Sequence, residues 1–214
     1  MLTLLELVLP QLCGGCDEPG TGWCPSCAGE LRTGPVRVRP RSDPGVPCWA
    51  IGSYAGARRR AVIAAKEHGR RDLAVPLGVA LARGLDRLRA RDRPLVIVPA
   101  PSRRAAARRR GGDPVARVAR IAASSLAGCR SAPLLRMRPG VRDSVGLGPR
   151  ARLLNLRGRI VTVPRRVARA GLTPDAEVVL VDDVLTTGAT ATESTRALRA
   201  AGIDVRAVVV TCAV

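Results

Sequence analysis

Val178-Val-Leu-Val-Asp-Asp-Val-Leu-Thr-Thr-Gly-Ala-Thr190 is the stretch from which the fold of this chain can be read. Val178 to Val181 are β-branched or aliphatic without interruption, the pattern of a strand buried on both faces in a parallel sheet. Asp182 and Asp183 follow at once. Thr186 to Thr190 form a run of small residues, and a helical pattern continues from about residue 191 to 201. The order is strand, acidic pair, small-residue loop, helix.

Each part of that order suits a phosphorylated sugar. Small residues let the loop backbone approach a ligand closely, and Gly188 is free to take a positive φ. Exposed N–H groups of the loop and helix N-terminus make an anion site. The hydroxyls of Thr186, Thr187 and Thr190 add donors to phosphate oxygens. The carboxylates accept hydrogen bonds from a ribose diol or help hold a hydrated Mg²⁺. A plain sheet edge ending in a turn is the competing reading, because Asp is common in turns. The chain has no G-x-x-x-x-G-K-[ST] motif, so a P-loop is excluded. It has no G-x-G-x-x-G after a strand, which argues against a dinucleotide fold. The thirteen residues resemble, nearly letter for letter, the phosphoribosyl-pyrophosphate (PRPP) loop of type I phosphoribosyltransferases.

Working outward, Leu95-Val-Ile-Val98 is a second buried strand. It runs into Pro99-Ala-Pro-Ser-Arg-Arg104, and then Arg108-Arg-Arg-Gly-Gly112. Ser102, Arg103 and Arg104 therefore stand at the carboxyl end of a strand, where ligands gather in open α/β sheets. A solvated basic helix face over 103–110 is the alternative. Asp113 and Pro114 start a helix reaching about residue 126. Upstream, a strand over 48–55 precedes helices over about 57–67 and 73–89. Lys66 is the only lysine in an otherwise all-arginine cationic set, which hints at a need for a compact point charge. His68, the only histidine, reads as a solvated group beside a helix end. Residues 134–158 are basic, Gly-rich and weakly patterned, as a long functional loop would be. Short strands follow over 160–163 and 205–211.

Two C-x-x-C pairs, Cys13-Gly-Gly-Cys16 and Cys24-Pro-Ser-Cys27, lie near the start. Four thiolates at this spacing can close tetrahedrally on Zn²⁺. A disulfide pair and a redox C-x-x-C are the alternatives. A cytoplasmic setting disfavours the first, and the second C-x-x-C disfavours the other. Cys48, Cys129 and Cys212 sit in apolar surroundings and read as core residues. Residues 32–47, rich in Pro, Arg and Gly, read as a linker. The expected division is therefore a zinc module with linker over 1–47 and an α/β domain over 48–214.

Composition bounds the rest. The chain has 214 residues, 46% of them apolar, and only 1% aromatic with no Phe. Its core must be Val, Leu, Ile and Ala. No run of 18 apolar residues exists, so no membrane span is expected. Met1 to Pro10 lack a basic n-region and carry Glu6, so they read as a short amphipathic helix rather than a signal peptide. The expected location is cytoplasmic. The net charge is +19. Residues 1–30 hold four acids and no Lys or Arg, and residues 171–214 hold six acids against three Arg, so the positive excess falls within 31–170. Such a middle suits polyphosphate or nucleic-acid partners. Abundant Arg, Ala, Gly and Pro also fit a base-rich coding bias. The aromatic platforms usual in single-strand binders are missing.

With these residues assembled, the chain resembles the ComF family of bacterial competence-related, phosphoribosyltransferase-like proteins over nearly its whole length. The resemblance is carried by the four-cysteine knuckle, the segment from Tyr54 to Lys66, Val98-Pro-Ala-Pro-Ser-Arg-Arg104, Arg110-Gly111, the stretch Arg142-Asp-Ser with Arg152 and Asn155, and Val181 to Thr190. It implies a type I phosphoribosyltransferase fold, PRPP binding with Mg²⁺ and, in some members, a tie to incoming single-stranded DNA. It places Asp182 and Asp183 at the ribose hydroxyls and Thr186, Thr187, Gly188, Ala189 and Thr190 at the 5′-phosphate. It places Ser102, Arg103 and Arg104 at the pyrophosphate loop, with Lys66 beside it. The family typically has Arg-Gly-Phe-Asn-Gln where this chain has Arg110-Gly-Gly-Asp-Pro114, and often Gln at Ser144. Those departures bear on acceptor and nucleic-acid contact.

The expected architecture is a doubly wound domain of about five largely parallel strands, with a small hood over 134–170. The expected reaction is Mg²⁺-dependent displacement of pyrophosphate from PRPP by an acceptor the sequence does not name. The alternative is a non-catalytic protein that keeps the PRPP pocket and holds single-stranded DNA. Neither the acceptor nor the oligomeric state is legible.

Overall fold

A computed structural model describes residues 11–141 and 148–214, without the side chains of Arg104, Pro149, Arg150 and Arg152. The helix expected over residues 1–10 and the stretch 142–147 lie outside the described residues. Among the described residues the strands are, in chain order, β1 (Val36–Val38), β2 (Cys48–Ala50), β3 (Leu95–Pro99), β4 (Cys129–Ser131), β5 (Leu135–Met137), β6 (Ile160–Thr162), β7 (Glu177–Leu185) and β8 (Ala207–Ala213). The helices are α1 (Pro25–Glu30), α2 (Gly56–Glu67), α3 (Ala74–Leu88), α4 (Arg104–Arg109), α5 (Pro114–Ser124), α6 (Pro149–Leu156), α7 (Pro164–Arg169) and α8 (Ala189–Arg199).

Six strands form one sheet in the order β1-β2-β8-β7-β3-β4, with β5 and β6 paired separately. All its neighbours are parallel except β1 and β2. The continuous apolar runs explain why. Along β3 and β7, Leu95, Ile97, Val179 and Val181 enter one core, and Val96, Val98, Val178 and Leu180 enter the other. Each side must then be covered, at about 1.5–3 kcal/mol per fully buried aliphatic side chain. Helices α3 and α5 supply Leu77, Leu81, Leu85, Val115 and Ala119 to the first core. Helix α8 and the β5–β6 ribbon supply Ala197, Leu198, Leu135 and Ile160 to the second.

This winding locates a crevice. From β3 the chain passes through α5 on one face to β4; from β7 it passes through α8 on the opposite face to β8. Strands β3 and β7 are neighbours whose connections diverge, so the space beyond their carboxyl ends is a topological switch point.

Three expectations need revision. The strand expected to end with the acids runs on to Leu185, with Asp182 opposite Val210, Val184 opposite Cys212 and Leu185 opposite Ala213. The acids therefore stand within the ladder, held by rigid backbone. The sheet, expected to have about five strands, has six: residues 36–38 of the supposed linker pair antiparallel with β2, and β4, also unanticipated, pairs parallel with β3, whereas the expected strand over 160–163 lies in the separate ribbon. An edge strand tolerates exposed Val36 and Arg37, which hid it in the sequence. The segment over 134–158, expected to be irregular, contains β5 and α6, while β5 and β6 together form the small ribbon in the region expected to be a hood.

The rest of the supposed linker is a strap across α8. The Ser42 N–H donates to the Thr187 carbonyl (2.8 Å). Thr192 Oγ1 donates to the Ser42 carbonyl (3.1 Å), and the buried Thr195 Oγ1 to that of Pro44 (3.1 Å). Arg199 donates to the carbonyls of Pro44 and Gly45. Among the described residues, no helix is long and apolar enough to cross a membrane.

Candidate active site and metal centre

The loops after β3 and β7 meet at the switch point around a cleft of about 310 Å³, lined by Lys66, Ser102, Arg103, Arg110, the acid pair and residues 184–191. Met137 and Leu156 close it from the side of the β5–β6 ribbon. The structure thus brings together Lys66, Ser102, Arg103, Asp182, Asp183 and Thr186 to Thr190, which the sequence singled out far apart. The side chain of Arg104 and residues Arg142, Asp143 and Ser144 lie outside what is described.

The acid pair is braced. Asp183 Oδ1 accepts the Val184 N–H (2.6 Å), and Oδ2 meets Lys66 Nζ at 2.7 Å. Asp182 Oδ1 accepts the Asp183 N–H at 2.9 Å. Lys66 reaches this pair from the last turn of α2. Burial works against the ammonium, but the charges of Asp183 and Asp182 outweigh it and raise its pKa. Burial, and then the adjacent Asp183 charge, push the Asp182 carboxyl up to about 8 against the opposing pull of Lys66. Burial and the neighbouring carboxylate thus both favour the protonated form of Asp182.

Gly188 makes the turn from β7 into α8 with φ +85°. A Cβ there would meet the Ser42 carbonyl oxygen at 2.4 Å and Pro40 Cβ at 2.7 Å. Both the backbone conformation and the strap therefore demand glycine. The loop lies at the N-terminus of an eleven-residue helix, where unsatisfied N–H groups and the helix dipole favour an anion.

The facing loop is held by a residue whose second task the sequence did not disclose. Asp113 caps α5, accepting the Val115 N–H at 3.0 Å and the Ala116 N–H at 3.3 Å. Its other oxygen accepts the Ser102 N–H at 3.1 Å. One carboxylate thus ties the β3 loop to the helix that follows it. Glu193 was missed altogether. It is buried on α8, accepts the Gly158 N–H (2.6 Å) and pairs with Arg196, so it anchors the ribbon's connection to the helix behind the Gly188 turn. His68 is an exposed C-cap of α2, in keeping with a solvated group.

The four N-terminal sulfurs form a second centre. The Sγ atoms of Cys13, Cys16, Cys24 and Cys27 all lie within 4.8 Å of one another. Cys16 Sγ and Cys24 Sγ are 3.6 Å apart, far beyond a disulfide bond and close to the edge of a tetrahedral thiolate site. Backbone N–H groups of Gly15 and Cys24 point at Cys13 Sγ, and that of Cys27 points at Cys24 Sγ. Burial raises the Cys13 thiol, yet these donors outweigh it and bring its pKa down to about 6. The cluster can bind a metal ion such as zinc. By contrast, burial pushes Cys48 and Cys212 up to about 11 and about 12, so both stay neutral core thiols.

This centre is docked against the rest of the molecule. Arg60 Nε donates to the Gly15 carbonyl, and Arg70 to those of Leu12 and Gly22. A Cβ on Gly14 would strike Leu73, and one on Gly15 would strike Cys27 Sγ. Glu30 accepts the Ala57 N–H at the start of α2, while buried Arg58 donates to the Glu30 carbonyl and Thr33 Oγ1.

Compared with known proteins, the chain matches no protein-family model and no curated protein.

Proposed function

We propose that this protein is a phosphoribosyltransferase-like protein of the ComF type, with a type I phosphoribosyltransferase fold, that binds PRPP and transfers its pentosyl group to an acceptor. The observation that carries the reading is the juxtaposition of the braced Asp182–Asp183 pair with the Gly188 turn and the N-terminus of α8 in one cleft. A sugar diol and a phosphate a few ångströms apart match those two halves.

In this reading the N–H groups and hydroxyls of Thr186 to Thr190 hold the 5′-phosphate. Asp182 and Asp183 accept the ribose hydroxyls. Ser102 and Arg103, with the Arg104 main chain, hold the diphosphate on the opposite wall. The acceptor's lone pair forms a bond to C1 as the bond from C1 to the diphosphate oxygen breaks, and its electron pair leaves with the diphosphate. Positive charge develops on the sugar, and Asp183, paired with Lys66, lies where it stabilises that charge. The donor set of carboxylate and substrate oxygens fits a hydrated Mg²⁺, which Asp182 and Asp183 would help to hold. When bound, Mg²⁺ supplies neutralisation of the leaving diphosphate. Cys13, Cys16, Cys24 and Cys27 would hold a structural Zn²⁺.

The DNA-holding alternative draws on the basic middle and on the resemblance. No aromatic ring is among the described residues that line the cleft, so that reading lacks a stacking platform there.

Calorimetric titration of PRPP, with and without Mg²⁺, tests the proposal on the parent and on an Asp182→Asn/Asp183→Asn variant. Micromolar, Mg²⁺-dependent binding, roughly −8 kcal/mol, is expected for the parent and should be largely lost in the variant. A parent that binds no PRPP would sink the reading.

A further inference from the structure

Beside the cleft, and sharing Arg103, Ala106 and Met137 with it, lies a second hollow of about 400 Å³. One wall is α4 with Arg108 and Arg109; the other is the turn after β5, with Arg138. The volume falls within the range of small-ligand sites. Arg108, Arg109 and Arg138 are exposed, and no carboxylate of a described residue pairs with any of them. Elsewhere among the described residues, six guanidinium groups pair with carboxylates, Arg70 with Asp72, Arg89 and Arg91 with Asp86, Arg110 with Glu67, Arg196 with Glu193 and Arg206 with Glu177, and most of the other described arginines do not; what sets Arg108, Arg109 and Arg138 apart is that they line one hollow. Two elements from different parts of the chain thus turn unneutralised guanidinium groups toward one concavity.

The geometry points to this groove as the seat of an anionic group on the second substrate, an acceptor carrying a phosphate ester or two or more carboxylates. The inference rests on the pentosyl-transfer reading of the neighbouring cleft. Three considerations select the chemistry. Guanidinium forks match the planar or tetrahedral oxygens of carboxylate and phosphate and bind them through paired hydrogen bonds. Described lining residues include no aromatic ring to clasp a neutral base. Arg103 faces both hollows, so an anion in the groove places the rest of its molecule next to the cleft.

The test uses the full-length protein without PRPP, titrated by calorimetry with citrate and, separately, with O-phosphoserine. The variants are Arg138→Ala, Arg108→Ala/Arg109→Ala and, in the cleft, Thr186→Val/Thr190→Val. PRPP binding by the two arginine variants serves as the check that they fold. The expected result is saturable binding of at least one probe by the parent. It weakens at least tenfold in both arginine variants and stays within twofold in the threonine variant. Preference between citrate and O-phosphoserine tells carboxylate from phosphate. Weakening only in the threonine variant puts the anion in the phosphate-type loop and overturns the groove. So does weak, non-saturating binding, which would mark a merely solvated basic surface. A mixed-sequence oligonucleotide that binds through these arginines and displaces both probes far below their own concentrations would make the groove a nucleic-acid surface instead. Anion binding without any PRPP binding would overturn the acceptor role along with the cleft reading. PRPP binding without anion binding overturns the groove alone.

Discussion

Lys66 Nζ lies 2.7 Å from Asp183 Oδ2, joining the last turn of α2 to the end of β7 across the floor of the cleft. Its charge offsets the repulsion within the acid pair. Lys66→Met should therefore lower stability by about 1 kcal/mol, a figure kept small because the lysine is about a third exposed and the pair is screened. Since the folded-state pKa of Lys66 is raised, its contribution is complete below the ordinary lysine value and is lost as pH rises through the folded one. Urea unfolding should show a parent–variant gap that widens as Asp182 ionises near pH 8, because Lys66 favours that charge, and shrinks only in strong alkali. A gap that closes near neutrality would contradict the assignment.

Asp182 makes a prediction of the opposite sign. Its folded carboxyl titrates at about 8, far above the unfolded value. Between those values the native state holds a proton that the unfolded state has released, so stability falls as pH rises from about 4 to 8. Asp182→Asn removes this penalty. The variant should be nearly neutral at pH 5 and more stable by about 1–3 kcal/mol at pH 8.5, while losing PRPP affinity. Thermal melts at the two pH values decide it; a variant less stable at both would show that Asp182 is a structural group.

Gly188 and Gly202 form a matched pair for mutation. Both have positive φ, +85° and +72°, but a Cβ at Gly188 collides with Ser42 and Pro40 whereas one at Gly202 meets nothing. Gly202→Ala should cost about 1 kcal/mol from backbone strain alone. Gly188→Ala should cost about 2–4 kcal/mol, because the strap must also move. Denaturant midpoints of the two variants measure the difference, and equal costs would mean that the strap is not seated on the turn.

The cysteine centre predicts one bound zinc per chain. Cys27→Ser, or treatment with a strong chelator, should release it. Docking through Leu73, Arg60 and Arg70 means that the loss is felt by the whole fold. A cost of about 3 kcal/mol would lower Tm by roughly 6–12 °C in a chain of this length. Metal analysis combined with calorimetric melting checks both statements; unchanged melting after complete metal removal would show that the centre is not structural.

Much of the fold was legible because it rests on local pattern. The unbroken apolar runs of β3 and β7 announced parallel strands, and Asp113-Pro114 announced a helix start. The acid pair, Gly188 and the four cysteines were visible as motifs, since their chemistry depends on spacing of a few residues. What escaped depends on partners distant in sequence. Nothing in Ser42 or Pro44 foretells that their carbonyls receive Thr192 and Thr195. The Glu193 link to Gly158 spans 35 residues. Strand β1 is three residues long, carries an arginine and lies at an edge, so neither periodicity nor apolar content marked it. The second oxygen of Asp113 is equally silent, because capping alone accounts for the residue.

The strap over α8 means that the chain has no clean seam at residue 47. A version trimmed to begin at Cys48 would lose more than a cysteine cluster. It would bare the flank of β2 and leave Thr195, now buried, without the carbonyl it reaches across to. The turn at Gly188 would also lose the peptide that lies against it. What looks like a detachable leader is a piece of the cleft's own scaffolding, and transplanting either portion onto a foreign partner would require carrying residues 36–46 along with the α/β half.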